Sequence, residues 1–267
     1  MVLHRVVRRN LTTALILEDD ADWDIRIRDQ LRDFALSAQA LTQPLASDPA
    51  SYADPTYPAP RDGSPIAFQI PDNGLPVTVA PAVSPYGDNW DLLWVGQCGM
   101  KFPFLENLNV PRGRVVWHDP TVPQQQYLKT FTKPDELKEN YPNHTRVVHH
   151  VQDAVCSIGY AITQKAARQL LFEIGLKELS AAFDIQLRWF CEGGGPRKYH
   201  RCLTSQPSLF HHHRPLGPLS AESDISDHGE GWQEKAHTRV VRWSVRMNAE
   251  ALMEGRTDFV DQYPDVD

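Results

Sequence analysis

The chain lacks any apolar run approaching the roughly eighteen residues that a membrane-spanning helix needs, so no membrane span is expected. It lacks a long Lys/Arg block. With 27 basic and 34 acidic side chains its formal net charge is −7, which argues against nucleic-acid partners. The basic patch between Arg5 and Arg9 is too short to change that. No C-x-x-C pair occurs among Cys98, Cys156, Cys191 and Cys202, which speaks against a thiolate zinc site. Each cysteine reads as a buried small hydrophobe, with one disulfide open to them in an oxidising compartment. The residues after Met1 show no signal-peptide pattern, and no internal repeat is visible. The compartment is left open, because the sequons at Asn10 and Asn143 would be glycan acceptors only in a secretory lumen.

What is present is ordinary for a globular protein. Hydrophobic residues make up 41% and charged residues 23% of 267, enough for one large α/β domain or two small ones. The most informative stretch is residues 13–20. Ala14, Leu15, Ile16 and Leu17 run straight into Glu18, Asp19 and Asp20. A short apolar run predicts a buried strand of a parallel sheet, with the acids at its carboxyl end, where open α/β sheets place ligands. Three adjacent carboxylates repel one another, and a divalent cation that itself holds a phosphate is the usual counterweight. The same acids also fit a solvated turn or the first charges of a helix, with Asp22 or Asp24 as its cap.

The remaining pattern predicts alternating elements. Residues 1–9 read as the last turns of a helix stopped at Asn10. Trp23, Ile27, Leu31, Phe34, Ala38 and Leu41 recur at helical spacing over about 23–41. Residues 42–89 hold ten of the 21 prolines and read as a long inserted loop, with a short hairpin near Ile66–Ile70 and Val77–Val79. Short strands are expected at 91–96, 114–118 and 146–150. Helices are expected at 163–172, capped by Thr163 and ended by Gly175, and at 183–190, closed by the Gly-Gly-Gly-Pro run from Gly193. Residues 199–210 read as a strand leading into His211-His-His213, and 239–247 as a last helix.

In this order the segments resemble the glycosyltransferase family 25 proteins, which include lipopolysaccharide and collagen galactosyltransferases. The matching residues are 15–21, 90–96, 157–171, Phe183-Asp184, 206–210 and 223–225, which together span most of residues 10–226. The resemblance implies an α/β fold of the GT-A-like (Rossmann-like) kind, a mixed sheet flanked by helices, over residues 1–226. Residues 227–267 would be a polar extension. It further implies metal-dependent transfer of a hexose, for instance galactose, from a nucleotide-sugar donor such as a UDP-hexose to a glycan or protein acceptor. Carried over, Glu18 and Asp20 would hold a manganese or other divalent cation, with Asp19 supporting. Asp184 is then the first candidate for a general base and Asp153 the second. Asp184 equally fits a helix cap with Phe183 as its staple. Ser157, Gly159 and Tyr160 would line the sugar pocket, although Tyr160 equally fits packing against the sheet. His211 and His213 share a strand face and could join the metal shell, with His212 pointing the other way. The family's opening strand, Arg and Ser-His motif have no counterpart here, so the chain resembles a member without its N-terminal strands. Two further readings stay open: a non-catalytic relic or binding module, and a metal-dependent phosphohydrolase.

Overall fold

The computed structural model describes residues 2–58, 60, 68–71, 74–128, 133, 135–177, 180–194, 197–221 and 230–266. In chain order the elements are α1 (Val2–Arg8), β1 (Thr13–Leu17), β2 (Ala21–Trp23), α2 (Ile27–Thr42), β3 (Phe68–Pro71), β4 (Leu92–Gly96) and β5 (Gly113–His118). They continue with α3 (Glu136–Asn140), β6 (Thr145–His150), β7 (Gly159–Thr163), α4 (Gln164–Phe172), α5 (Phe183–Glu192), β8 (Cys202–Gln206) and β9 (Phe210–Arg214). The last are β10 (Gly217–Pro218), β11 (Trp232–Gln233), β12 (His237–Thr238) and α6 (Ala249–Met253). The fold is α/β with a mixed sheet flanked by helices. The sheet order is β1-β7-β4-β8-β6-β5-β3, and β9 reaches from β4 to carry β2 and β12.

β4 shows why the centre holds. Its side chains alternate between two cores, Leu92 and Trp94 on one face and Leu93 and Val95 on the other, all buried. The first face is covered by α1, α4 and α5 through Leu3, Val6, Leu170, Leu187 and Phe190. The second is covered by α2 through Phe34, Ala38 and Leu41, at the helical spacing read from the sequence. Each such aliphatic or aromatic side chain contributes roughly 1.5–3 kcal/mol by leaving water.

Several local signals are met. Asn10 ends α1 in the left-handed region at φ 53°. Thr163 caps α4 by accepting from the Ala166 amide at 3.2 Å. Gly193, at φ 72°, closes α5.

Other expectations are corrected. β1 is not a buried parallel strand. It is an outer strand antiparallel to β7, and Thr13, Leu15 and Leu17 are exposed. Residues 159–163, for which no strand is expected from the sequence, form β7. The helix after Thr163 passes Gly175 as a wider turn to Lys177. Residues 239–247 are turns, and the last helix lies beyond them.

The four cysteines form two disulfides, Cys98–Cys156 and Cys191–Cys202, the chemistry of an oxidising compartment. Their pairing depends on contacts 58 and 11 residues apart, which spacing alone does not show.

The Pro-rich segment packs where it is described. Buried Asp54 accepts from the Gly113 amide at 2.8 Å, Tyr57 stacks on His150, and β3 adds a parallel strand beside β5. Ile66 lies outside the described residues, and among the described ones the expected hairpin gives way to other pairings: Thr78 bridges Leu45, and residues 68–71 run parallel to β5. Residues 195–196 and 223–225 also lie outside them. Among the described residues no helix is long and apolar enough to cross a membrane.

Candidate metal centre

The end of β1 and the middle of β9 build the site together. β2 turns back after Asp20 and pairs antiparallel with β9, setting Ala21 opposite His212 and Asp22 opposite His211. The His213 amide donates to the Asp20 carbonyl at 2.9 Å. This register decides which imidazole meets the acids. His212 Nε2 lies 2.9 Å from Glu18 Oε2 and 3.9 Å from Asp20 Oδ1. One ligand atom from each of Glu18, Asp20 and His212 falls within 4.8 Å of the others.

The three side chains are 41%, 37% and 16% exposed, so the cluster sits at a rim open to ligands. Arg214, two residues after His212 and therefore on the same strand face, donates to Asp20 Oδ2 at 3.2 Å. Ser157 donates to Glu18 Oε1 at 3.2 Å. The hydrogen bond from His212, ahead of the opposing effect of burial, holds the Glu18 carboxyl below its ordinary value. Arg246 borders the motif and donates to the backbone carbonyls of Asp19 and Ala21.

His211 and His213 lie on the opposite face. The alternation was legible, but the side was not. His211 is buried, and burial pushes its imidazole down to about 3. His213 Nδ1 is 2.9 Å from the Thr238 hydroxyl and 3.6 Å from Asp22 Oδ2. Asp22 itself is fully buried. Burial alone would raise its carboxyl, but hydrogen bonds from His213, Ser244, Thr238 and the Arg246 amide outweigh that and lower it. Asp22 thereby fastens residues 238–246 against the motif. The described part of 227–267 is joined to the rest through this carboxylate and through β12 on β9.

The other expected residues are placed as follows. Asp19 is exposed and stands outside the convergent set. Ser157 belongs to the cluster through Glu18. Gly159 lies where strands cross closely. A Cβ there would come within 2.8 Å of Leu17 Cδ2, and one on the facing Gly96 within 2.6 Å of the Gly159 amide. Tyr160 is buried against Phe183, so its ring packs rather than facing a ligand. Asp184 lies in the first turn of α5. Its two oxygens accept from the Cys156 amide at 2.9 Å and the Ile185 amide at 2.8 Å, which pins the turn that carries Ser157. Asp153 is held between Lys101 and Arg188, each at 2.7 Å. His212, Arg214 and Arg246 escaped the sequence reading. The only signals for them were the unbroken His triplet and the basic stretch 239–247.

Two carboxylates and one imidazole suit a divalent cation that accepts oxygen and nitrogen donors, as manganese does. One ligand atom of each lies within 4.8 Å of the others, close enough for a single ion to reach all three. No protein-family model, no curated protein and no solved structure matches this chain.

Proposed function

We propose that the chain is a metal-dependent glycosyltransferase of the family 25, GT-A-like kind, moving a hexose from a nucleotide-sugar donor. The observation that supports this most is the convergence of Glu18, Asp20 and His212 at the carboxyl end of one sheet strand, with two arginines beside them. Glu18, Asp20 and His212 would hold the cation. Bound there, it supplies a Lewis acid for the diphosphate oxygen that gains charge as the glycosyl bond breaks.

The chain's own residues prepare that site. Arg214 orients Asp20 and offsets part of the cluster's negative charge, so that a diphosphate is less strongly repelled. Ser157 fixes one Glu18 oxygen and leaves the other to face His212. Asp184, on this reading, positions Ser157 through the Cys156 amide rather than taking a proton.

A non-catalytic GT-A-like binding module is the second reading, and one observation favours it. The strand that carries the acids is the outer strand of the sheet, and among the described residues no strand flanks its far side.

Titration of the protein with manganese and a uridine-diphosphate hexose separates the readings. The enzyme reading expects manganese-dependent donor binding and sugar transfer, both lost in Asp20→Ala. Binding without transfer to any glycan or protein acceptor leaves the module. Phosphoester hydrolysis with the same dependence, and no donor binding, makes the protein a phosphohydrolase.

A further inference from the structure

We infer that Asn143 is a modification site: its side-chain nitrogen carries an N-linked glycan, received from a lipid-diphosphate oligosaccharide in a secretory lumen. This goes beyond the proposed activity and does not rest on it. Two observations from different parts of the molecule meet in it. Asn143-His-Thr145 is a glycan acceptor only where the transferring enzyme works, and the sequence leaves that compartment open. The structure supplies the missing condition. All four cysteines are paired, Cys98 with Cys156 and Cys191 with Cys202, and such pairs persist where thiols are not kept reduced.

The turn before β6 presents the acceptor. Asn143 and His144 form that turn, and Pro142 and Asn143 are both exposed. His144 is what sets them outward. It takes the left-handed region at φ 59°, its Nδ1 lies 2.7 Å from the Val122 carbonyl, and its own carbonyl accepts from the Asp119 amide at 2.7 Å. With His144 fastened on residues 119–122, the side chain before it is left at the surface. β7, β4 and β8 stand between β6 and the outer strand β1, so this exposure is independent of whatever flanks β1.

The chemistry of the side chain fits as well. Asn143 Oδ1 accepts from the Gln125 amide at 3.0 Å, and among the described residues Nδ2 has no acceptor. In the transfer, Nδ2 bonds to C1 of the first sugar and the bond from C1 to the diphosphate oxygen breaks. The lipid diphosphate leaves, and one Nδ2 proton passes to a base of the transferring enzyme. The product is still an amide with its carbonyl oxygen intact, so the contact with Gln125 survives and the fold accommodates the sugar.

Thr145 sets the order of events. It is buried as the first residue of β6, and its hydroxyl donates to the Pro142 carbonyl at 2.8 Å. The transferring enzyme must read that hydroxyl, so the sugar arrives before β6 pairs with β5 and β8.

Peptide mass spectrometry of the protein purified from its native cells tests this, before and after enzymatic release of N-glycans in heavy-oxygen water. Release should convert the Asn143 amide to a labelled carboxylate and lower the mass of the whole chain by at least one glycan. Asn143→Gln, expressed in the same cells, should lack that glycan, whereas Asn10→Gln should keep it. A wild-type peptide in which Asn143 is unmodified overturns the inference, whether the chain carries no glycan at all or one on Asn10 alone. The wild-type peptide decides this even where Asn143→Gln fails to fold.

Discussion

Glu18, Asp20, His212 and Arg214 at the end of β1 can be set against Asp153, Glu192, Lys101 and Arg188 near the end of α5. Both groups mix acids with bases, and the side chains of both are between about one sixth and two fifths exposed where the ion pairs form. In the second group each Asp153 oxygen has its own cation at 2.7 Å, and Glu192 accepts from the Asp153 amide. There the charges are paired one to one. In the first, one imidazole nitrogen faces two carboxylates at 2.9 and 3.9 Å, and a single arginine serves them. The first group thus sets two carboxylates and an imidazole around one point, and the second pairs its charges one by one.

The contrast can be broken by substitution, and the largest effect belongs to neither group. Asp22, two residues after Asp20, is buried under hydrogen bonds from Thr238, Ser244 and the Arg246 amide. Asp22→Ala should cost about 3 kcal/mol in urea unfolding, because its partners are left buried and unpaired. Loss of less than 1 kcal/mol (roughly the surface-site range) would mean that residues 238–246 are not anchored there. Asp153→Ala should cost about 1–2 kcal/mol, since Lys101 and Arg188 lose a shared anion, and should leave manganese affinity unchanged. Asp20→Ala should do the reverse, changing unfolding by no more than about 0.5 kcal/mol while metal binding disappears.

A further effect is one of pH. Burial pushes the Glu192 carboxyl up to about 7 from 4.5, so the fold favours its protonated form. Its contribution is fully present below about pH 4.5 and is lost as pH rises through 7. Unfolding at pH 5 and pH 8 should therefore show a decline in the wild type that Glu192→Gln reduces. An equal decline in both would remove Glu192 from the explanation.

How much was legible follows from how far each decision reaches along the chain. The Thr163 cap and the Asn10 stop depend on neighbours within a few residues, and they were readable. The α2 stripe was readable because 3.6-residue periodicity is a local property. The exposure of Leu15 was not, since an apolar run reads the same whether or not another strand flanks it. The His triplet shows the same limit. Alternation separates His212 from His211 and His213, but only the pairing of β2 with β9, some 190 residues apart in sequence, tells which face meets the acids. Gly159 reads alike in both settings, because close backbone approach is needed both at sugars and at crossing strands. Asp184 and Asp153 carry the right chemistry for a base, but no motif states their partners: the Cys156 amide for Asp184, and Lys101 and Arg188 for Asp153.

Calorimetric titration with manganese chloride is the most direct test of the site, run on the wild type, His212→Ala and His211→Ala. One ion per chain should bind the wild type, with affinity falling at least tenfold in His212→Ala and persisting in His211→Ala wherever that buried variant folds. Binding that survives His212→Ala unchanged, or no binding to the wild type at millimolar metal, would contradict the convergence of Glu18, Asp20 and His212 on a cation.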